Sequence, residues 1–204
     1  MTMSLAEELV LIAYDTDGTA WGTGTAVNFA VAGAHLMELA LAGRITVRDG
    51  RISVLDATPT GAPLTDAALA TLAADPEPRR TKDWVNRLSK KALQPVLDHL
   101  VAAGVVERHD QKVLRLIPFT RYPSPGGVEP TAETERRRLM LAAVTDPAAT
   151  PDDRTLAMVA LVTAADWHRR AFPGVPRHTI RPRVTGVLDD LRTAVRGAIG
   201  DTYS

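Results

Sequence analysis

The sequence predicts a mostly α-helical fold: a single globular domain over residues 1–204, built around a central apolar helix and carrying two small β-hairpins. Three observations carry this reading. Residues 26–42 are apolar on nearly every side, which marks a helix at the buried centre of a fold. Two stretches of alternating apolar and polar residues surround turn signals, as hairpins require. Elsewhere, apolar residues recur three and four apart between Pro and Gly breaks, the helical period.

The elements follow in order. Ser4 with Glu7 has the form of a capping box, opening a helix to Tyr14 with Leu5, Leu9 and Ile12 on one face. Asp15-Thr-Asp-Gly18 is a turn, and a Gly- and Thr-rich loop carrying Trp21 leads into the central helix, Ala26–Ala42. Its few polar groups are Asn28, His35 and Glu38. Gly43 fits the position after its end, where a left-handed backbone is cheap only without a Cβ. Arg44–Arg48 and Arg51–Leu55 alternate around Asp49-Gly50, a two-residue hairpin signal. A Thr58-Pro-Thr-Gly61 loop launches a short helix, Leu64–Ala74. After Asp75-Pro-Glu-Pro78, Thr81 is read as the cap of a helix through Lys91, followed by a second over Leu93–Ala103. Val105–Arg108 and Val113–Ile117 form the second hairpin, with His109-Asp-Gln-Lys112 at its tip. Tyr122–Pro130 is a Pro- and Gly-rich loop. The last third is helical: Thr131–Val144, Asp152–Asp166 extending toward Arg170, and Arg183–Gly197.

Composition narrows the function. The chain has no cysteine, which removes disulfides, thiolate metal sites and cysteine nucleophiles. No apolar run is read as reaching the roughly 18–20 residues that span a bilayer. The start, MTMSLAEELV, carries two glutamates and no basic residue, unlike a secretory signal. A cytoplasmic protein is expected. Arg outnumbers Lys 20 to 4, as in GC-rich bacterial genomes. Net charge is zero but segregated: residues 1–78 hold ten acids and three bases, and residues 79–125 hold ten bases and four acids. A neutral total argues against coating nucleic acid, while the basic middle third suits a local anion.

The catalytic signatures do not assemble. The five histidines form no HExxH pair, and no serine occupies a G-x-S-x-G elbow. His35 and Glu38 lie one turn apart and read as a hydrogen-bonded helix pair. Asp152-Asp153 and Asp189-Asp190 are adjacent helix residues on different faces. Gly18, Gly22 and Gly24 lack the strand and the Lys-Ser/Thr of a phosphate loop. Neither an enzyme nor a cofactor is expected.

One cluster stands out. Arg79, Arg80, Lys82, Arg87, Lys90 and Lys91 fall within thirteen residues. On a helix from Thr81, Arg87, Lys90 and Lys91 share a face. Repelling charges at that spacing suit an anion, and both residue types bind phosphate through charge-assisted hydrogen bonds. Trp84, among them, is read as core. Trp21, in a loop with no evident packing demand, is read as an exposed aromatic available for binding. Arg136–Arg138, His168–Arg170, and Arg177 with Arg181 and Arg183 are read as solvated faces.

The words SLAEELVLIAYD, GAHLMELALAGRI, TPTGAPLTDAAL, KDWV at Lys82–Val85, LDHLVAAGVV and KVLRLIPFTRYP occur in an order that resembles the Golgi phosphoprotein 3 family, in particular its shorter bacterial members. The resemblance covers nearly the whole chain. It implies a helical domain with a central apolar helix and a projecting hairpin. The eukaryotic relatives are peripheral membrane proteins that bind the headgroup of phosphatidylinositol 4-phosphate and link membrane-enzyme tails to vesicle coats; of these, the resemblance implies lipid-headgroup binding here but not coat recruitment. The family's loop Trp matches Trp21, offset by two residues. Its Arg at the start of the central helix falls near Ala32, and its two helix Args fall near Lys90 and Leu93. The basic N-terminal arm of eukaryotic members has no counterpart. The hairpin in relatives supports oligomerisation, so a homo-oligomer is one implied state, while the polar tip at residues 109–112 disfavours deep insertion.

The resulting expectation is a cytoplasmic protein bound peripherally at the inner face of the membrane. It would bind anionic phospholipid or phosphoinositide headgroups through Trp21, Arg80, Lys82, Arg87, Lys90 and Lys91, possess no metal site, bind no nucleic acid, and act as an adaptor for membrane-protein tails. The alternative is a winged-helix-like nucleic-acid-binding regulator using residues 81–117. Its groove helix, LQPVLDHLVAA, has no Arg or Lys for base or phosphate contacts.

Overall fold

The computed structural model describes residues 3–75, 77–113, 117–180 and 184–202. They form nine α-helices and two separate antiparallel two-stranded sheets. Arg181 and Arg183, and the middle of the KVLRLIPFTRYP stretch, lie outside the described residues.

Helix α1 (Leu5–Ala13) starts at the expected capping box. The Ser4 hydroxyl accepts the Glu7 N–H at 3.3 Å, and the Glu7 carboxylate accepts the Ser4 N–H at 2.6 Å. Helix α2 (Gly24–Leu41) is the predicted central helix, capped by Thr23, and α1, α3, α4, α7 and α9 all pack on it. It is long and apolar enough to cross a membrane, contrary to the sequence reading, but 67% of it is buried inside the protein. The surrounding helices already supply the apolar surroundings that its side chains need.

Gly43 ends α2 as expected. Its φ is +68°, its N–H reaches the Ala40 carbonyl at 3.0 Å, and the Arg44 N–H reaches that of Leu39 at 2.8 Å. This is the complete pair of bonds that satisfies a helix's last carbonyls. Strands β1 (Ile45–Arg48) and β2 (Arg51–Val54) pair Val47 with Ile52 and Arg48 with Arg51. Asp49 and Gly50 both have positive φ, the twist that a two-residue hairpin demands. Helix α3 (Pro63–Ala73) and helix α4 (Thr81–Ser89) follow, and α5 (Leu93–Ala102) packs on α1.

The second hairpin departs from its expected register. Strand β3 covers His109–Val113 and β4 covers Ile117–Arg121, so the polar His109–Lys112 stretch is strand, not tip. The connection falls at 114–116, outside the described residues. Helices α6 (Thr131–Thr145), α7 (Asp153–Ala164), the single-turn α8 (His168–Ala171) and α9 (Val187–Thr202) complete the chain. Helix α9 closes on α2 at Gly33. A Cβ added there would strike Val195 and meet Leu161 Cδ2 at 3.0 Å, so only glycine allows this approach.

The basic triplet Arg136–Arg138 is not a solvated face throughout. Arg136 Nε pairs with Glu8 at 2.8 Å, joining α6 to α1, while Arg138 alone stays exposed beside Glu135. His35 and Glu38 do not bond to each other. His35 meets the Thr65 hydroxyl at 3.1 Å, and Glu38 takes the Leu5 N–H at 2.7 Å and Arg154 at 2.9 Å. Each tethers α2 to a different neighbour. His168, also read as solvated, is buried.

Candidate functional site

Helix α4 sets the basic cluster on the surface by burying its opposite side. Trp84 faces the core, as predicted, and so does Val85, while Asp83, Asn86 and Arg87 face outward. Thr81 is the first helical residue rather than the cap. Its N–H and hydroxyl both donate to the Gly50 carbonyl, at 2.9 and 3.0 Å, strapping α4 to the hairpin turn.

The six expected residues divide by partner. Arg87 donates to Asp75 at 2.9 Å and its guanidinium lies 5.1 Å from the Trp84 ring centre. Asp75 also receives Arg79 at 2.6 Å, and this hydrogen bond holds its carboxyl below the usual range. Lys82 pairs with Asp201 on α9. These cations are at least partly neutralised. Arg80 is exposed and lies opposite Arg51 in a single β-bridge.

Lys90 and Lys91 are exposed at the link between α4 and α5, and among the described residues neither forms an ion pair. They border a shallow groove of about 350 Å³, together with Asn28 and the first turn of α5. Asn28 shapes its floor, accepting the Leu93 N–H at 3.1 Å and donating to the Gly24 carbonyl at 2.7 Å. Asp98 is the one acid at the rim, engaged by Gln94 at 2.8 Å. The result is an open groove with two free ammonium groups at the N-terminal end of the central helix.

Trp21 is not part of that groove, and it is not exposed. Only 7% of the residue is accessible. Its indole N–H donates to Asp15 at 2.7 Å, and the guanidiniums of Arg137 and Arg170 lie 4.8 and 5.9 Å from its ring centre. A buried indole needs an acceptor, and Asp15 supplies it. Arg137 in turn holds Glu133 at 2.6 Å, while burial pushes that carboxyl up to about 7. Trp21 and the Lys90–Lys91 pair flank the same end of α2 without converging on one pocket. Asp15 lies only six residues upstream, but the covering Arg137 and Arg170 come from α6 and α8, so the loop alone does not reveal the ring's burial.

A larger cleft, about 580 Å³, opens at the other end of α2 between Glu7, Glu38, His99, Arg154 and the 60–64 loop. Sequence reasoning did not find it, because its walls come from five separate segments. Its acids are occupied: Glu38 as described, and Glu7 by Ser4. Among the described residues no group of three or more His, Cys, Asp or Glu is placed to hold a metal ion.

The family model described as Golgi phosphoprotein 3 (GPP34) matches residues 5–202. None of the curated proteins matches the chain. With nearly its whole length covered, the chain belongs to the Golgi phosphoprotein 3 family.

Proposed function

We propose that the protein associates peripherally with the cytoplasmic face of a membrane by binding anionic phospholipid headgroups, phosphoinositides among them, as an adaptor for membrane-protein tails. The observation that carries this is the pair of unneutralised lysines, Lys90 and Lys91, on an open groove at the start of α2, in a chain of this family. Two ammonium groups offer point charges to a phosphate without the geometry of an Arg fork. Arg80 adds charge along the same surface. Lys82 and Arg87 contribute in exchange with Asp201 and Asp75. Trp21 has a different part: it fixes the loop that leads into α2 and does not stack on the headgroup.

The nucleic-acid alternative fares worse on geometry. The exposed side of α5 carries Gln94, Pro95 and Asp98, which gives a phosphate backbone no cation. Vesicle flotation at low salt tests the proposal. Wild type should float with vesicles containing phosphatidylserine or phosphatidylinositol 4-phosphate, and Lys90→Ala/Lys91→Ala should lose most of that recovery. Equal recovery of the two proteins rejects the groove.

A further inference from the structure

The first hairpin carries two arginines, Arg48 and Arg51, that lie outside the basic cluster of α4 and join it through Arg80. Arg48 and Arg51 are direct cross-strand partners at its turn. Arg51 is in turn bridged to Arg80, in the segment that runs antiparallel beside β2. The bonds on either side of that bridge, Thr81 N–H to Gly50 O at 2.9 Å and Ile52 N–H to Arg79 O at 3.1 Å, make it the non-hydrogen-bonded kind of pair. Side chains stand closest in such pairs, with Cα atoms about 4.5 Å apart. Direct partners point to the same side of a sheet. Here that side is solvent, since Val47 and Ile52 take the inner one.

Three arginines therefore stand in a row across three adjacent extended segments, all exposed. Among the described residues none of the three is in an ion pair with a carboxylate, and Arg51 donates only to the Pro78 carbonyl, at 2.6 Å. Asp49 in the turn comes within ion-pair distance of none of them, and the nearby Asp75 is taken by Arg79 and Arg87. Like charges directly opposite on strands are unfavourable, so this row is relieved when anions come to it. A guanidinium fork also matches phosphate oxygens two at a time.

We infer that Arg48, Arg51 and Arg80 form a second anion-contacting patch that lies flat on the surface of an anionic bilayer. The inference rests on the lipid-binding reading above and extends its footprint. The patch is an open strand face rather than a pocket, which suits an array of headgroups better than one enclosed ion. It also continues toward Lys90 and Lys91: Arg80 precedes α4 and Lys90 follows it, about 15 Å apart at 1.5 Å per residue. Asp83, Asn86 and Arg87 make up the exposed surface between them. Two cationic contacts at opposite ends of one helix fix an orientation on a plane, which a single groove cannot do.

The test uses the full chain and phosphatidylcholine vesicles with and without phosphatidylserine at low salt. Each cation near an anionic surface is worth about fivefold in partitioning, so Arg48→Gln/Arg51→Gln/Arg80→Gln should weaken binding about a hundredfold. Its thermal midpoint should hold or rise, because repelling charges have been removed. If this variant binds like wild type while Lys90→Ala/Lys91→Ala does not, the patch is overturned and the lipid reading stands. If wild type binds no anionic vesicle, the lipid reading fails and the patch falls with it. A salt-sensitive shift of duplex DNA that the triple variant abolishes, without flotation, replaces the bilayer by nucleic acid. A fall in the midpoint clearly larger than that of Arg51→Gln alone, which loses only the bond to Pro78, shows that the row is neutralised within the protein, and overturns it.

Discussion

Replacing Glu133 with Gln should uncover a titration that the folded protein conceals. Two buried groups titrate in opposite senses over the same range. Burial raises the Glu133 carboxyl from 4.5 to about 7, against the pull of Arg137 and with Glu129 and Asp15 adding to the rise. Burial lowers the His35 imidazole from 6.5 to about 4, with Glu7 opposing. The stability contribution of Glu133 is fully present below 4.5 and is lost as pH rises through 7. That of His35 is fully present above 6.5 and is lost as pH falls toward 4. At 1.36 kcal/mol per pH unit, each amounts to about 3 kcal/mol. They offset, and wild-type stability should be nearly level between pH 4.5 and 6.5. Glu133→Gln leaves His35 unopposed, so stability should fall by about 3 kcal/mol on acidification across that window. Urea unfolding at constant ionic strength, read at a series of pH values, measures the profile. A variant curve parallel to wild type refutes the offset, and so does a His35→Gln curve that fails to rise as pH is lowered.

Three further outcomes follow from the packing. Gly33→Ala drives a methyl into Val195 and should destabilise by about 1–3 kcal/mol, measured by denaturant midpoint. Ser4→Ala removes the acceptor of the capping box and should cost about 1 kcal/mol by the same measurement. Trp21, Trp84 and Trp167 are all buried, so emission should be blue-shifted and poorly quenched by acrylamide, and adding vesicles that bind the protein should leave it unchanged. A vesicle-induced shift would return Trp21 to the binding surface.

Features written in local chemistry were legible in the sequence. The Ser4–Glu7 box, Gly43 after α2 and the Asp49-Gly50 turn each require particular residues within a few positions of one another, and the structure has them where expected. The second hairpin was displaced because His109–Lys112 shows no apolar alternation. Those residues pair as strand through the backbone ladder, aided by the Thr120 hydroxyl on Asp110 at 2.8 Å. The site was legible only in part. Charge density pointed to the stretch holding Lys90 and Lys91 as a candidate, but not to which of its cations are neutralised, since Asp201 lies 119 residues from Lys82. Trp21 was misjudged for the same reason: the loop looks open until Asp15, Arg137 and Arg170 are brought around it. The arginine row was hidden because Arg80 joins Arg48 and Arg51 only through the bridge.

The fit of α9 against Gly33 has a consequence for how the chain is made. This tight contact joins Gly33 on α2 to Val195 on α9, far apart along the chain. Contacts so distant along the chain form late, because the whole intervening polymer must first be gathered. During synthesis α2 emerges long before α9, as a greasy cylinder with one wall missing. Until α9 has followed, the nascent protein is exposed to aggregation or to capture by a chaperone.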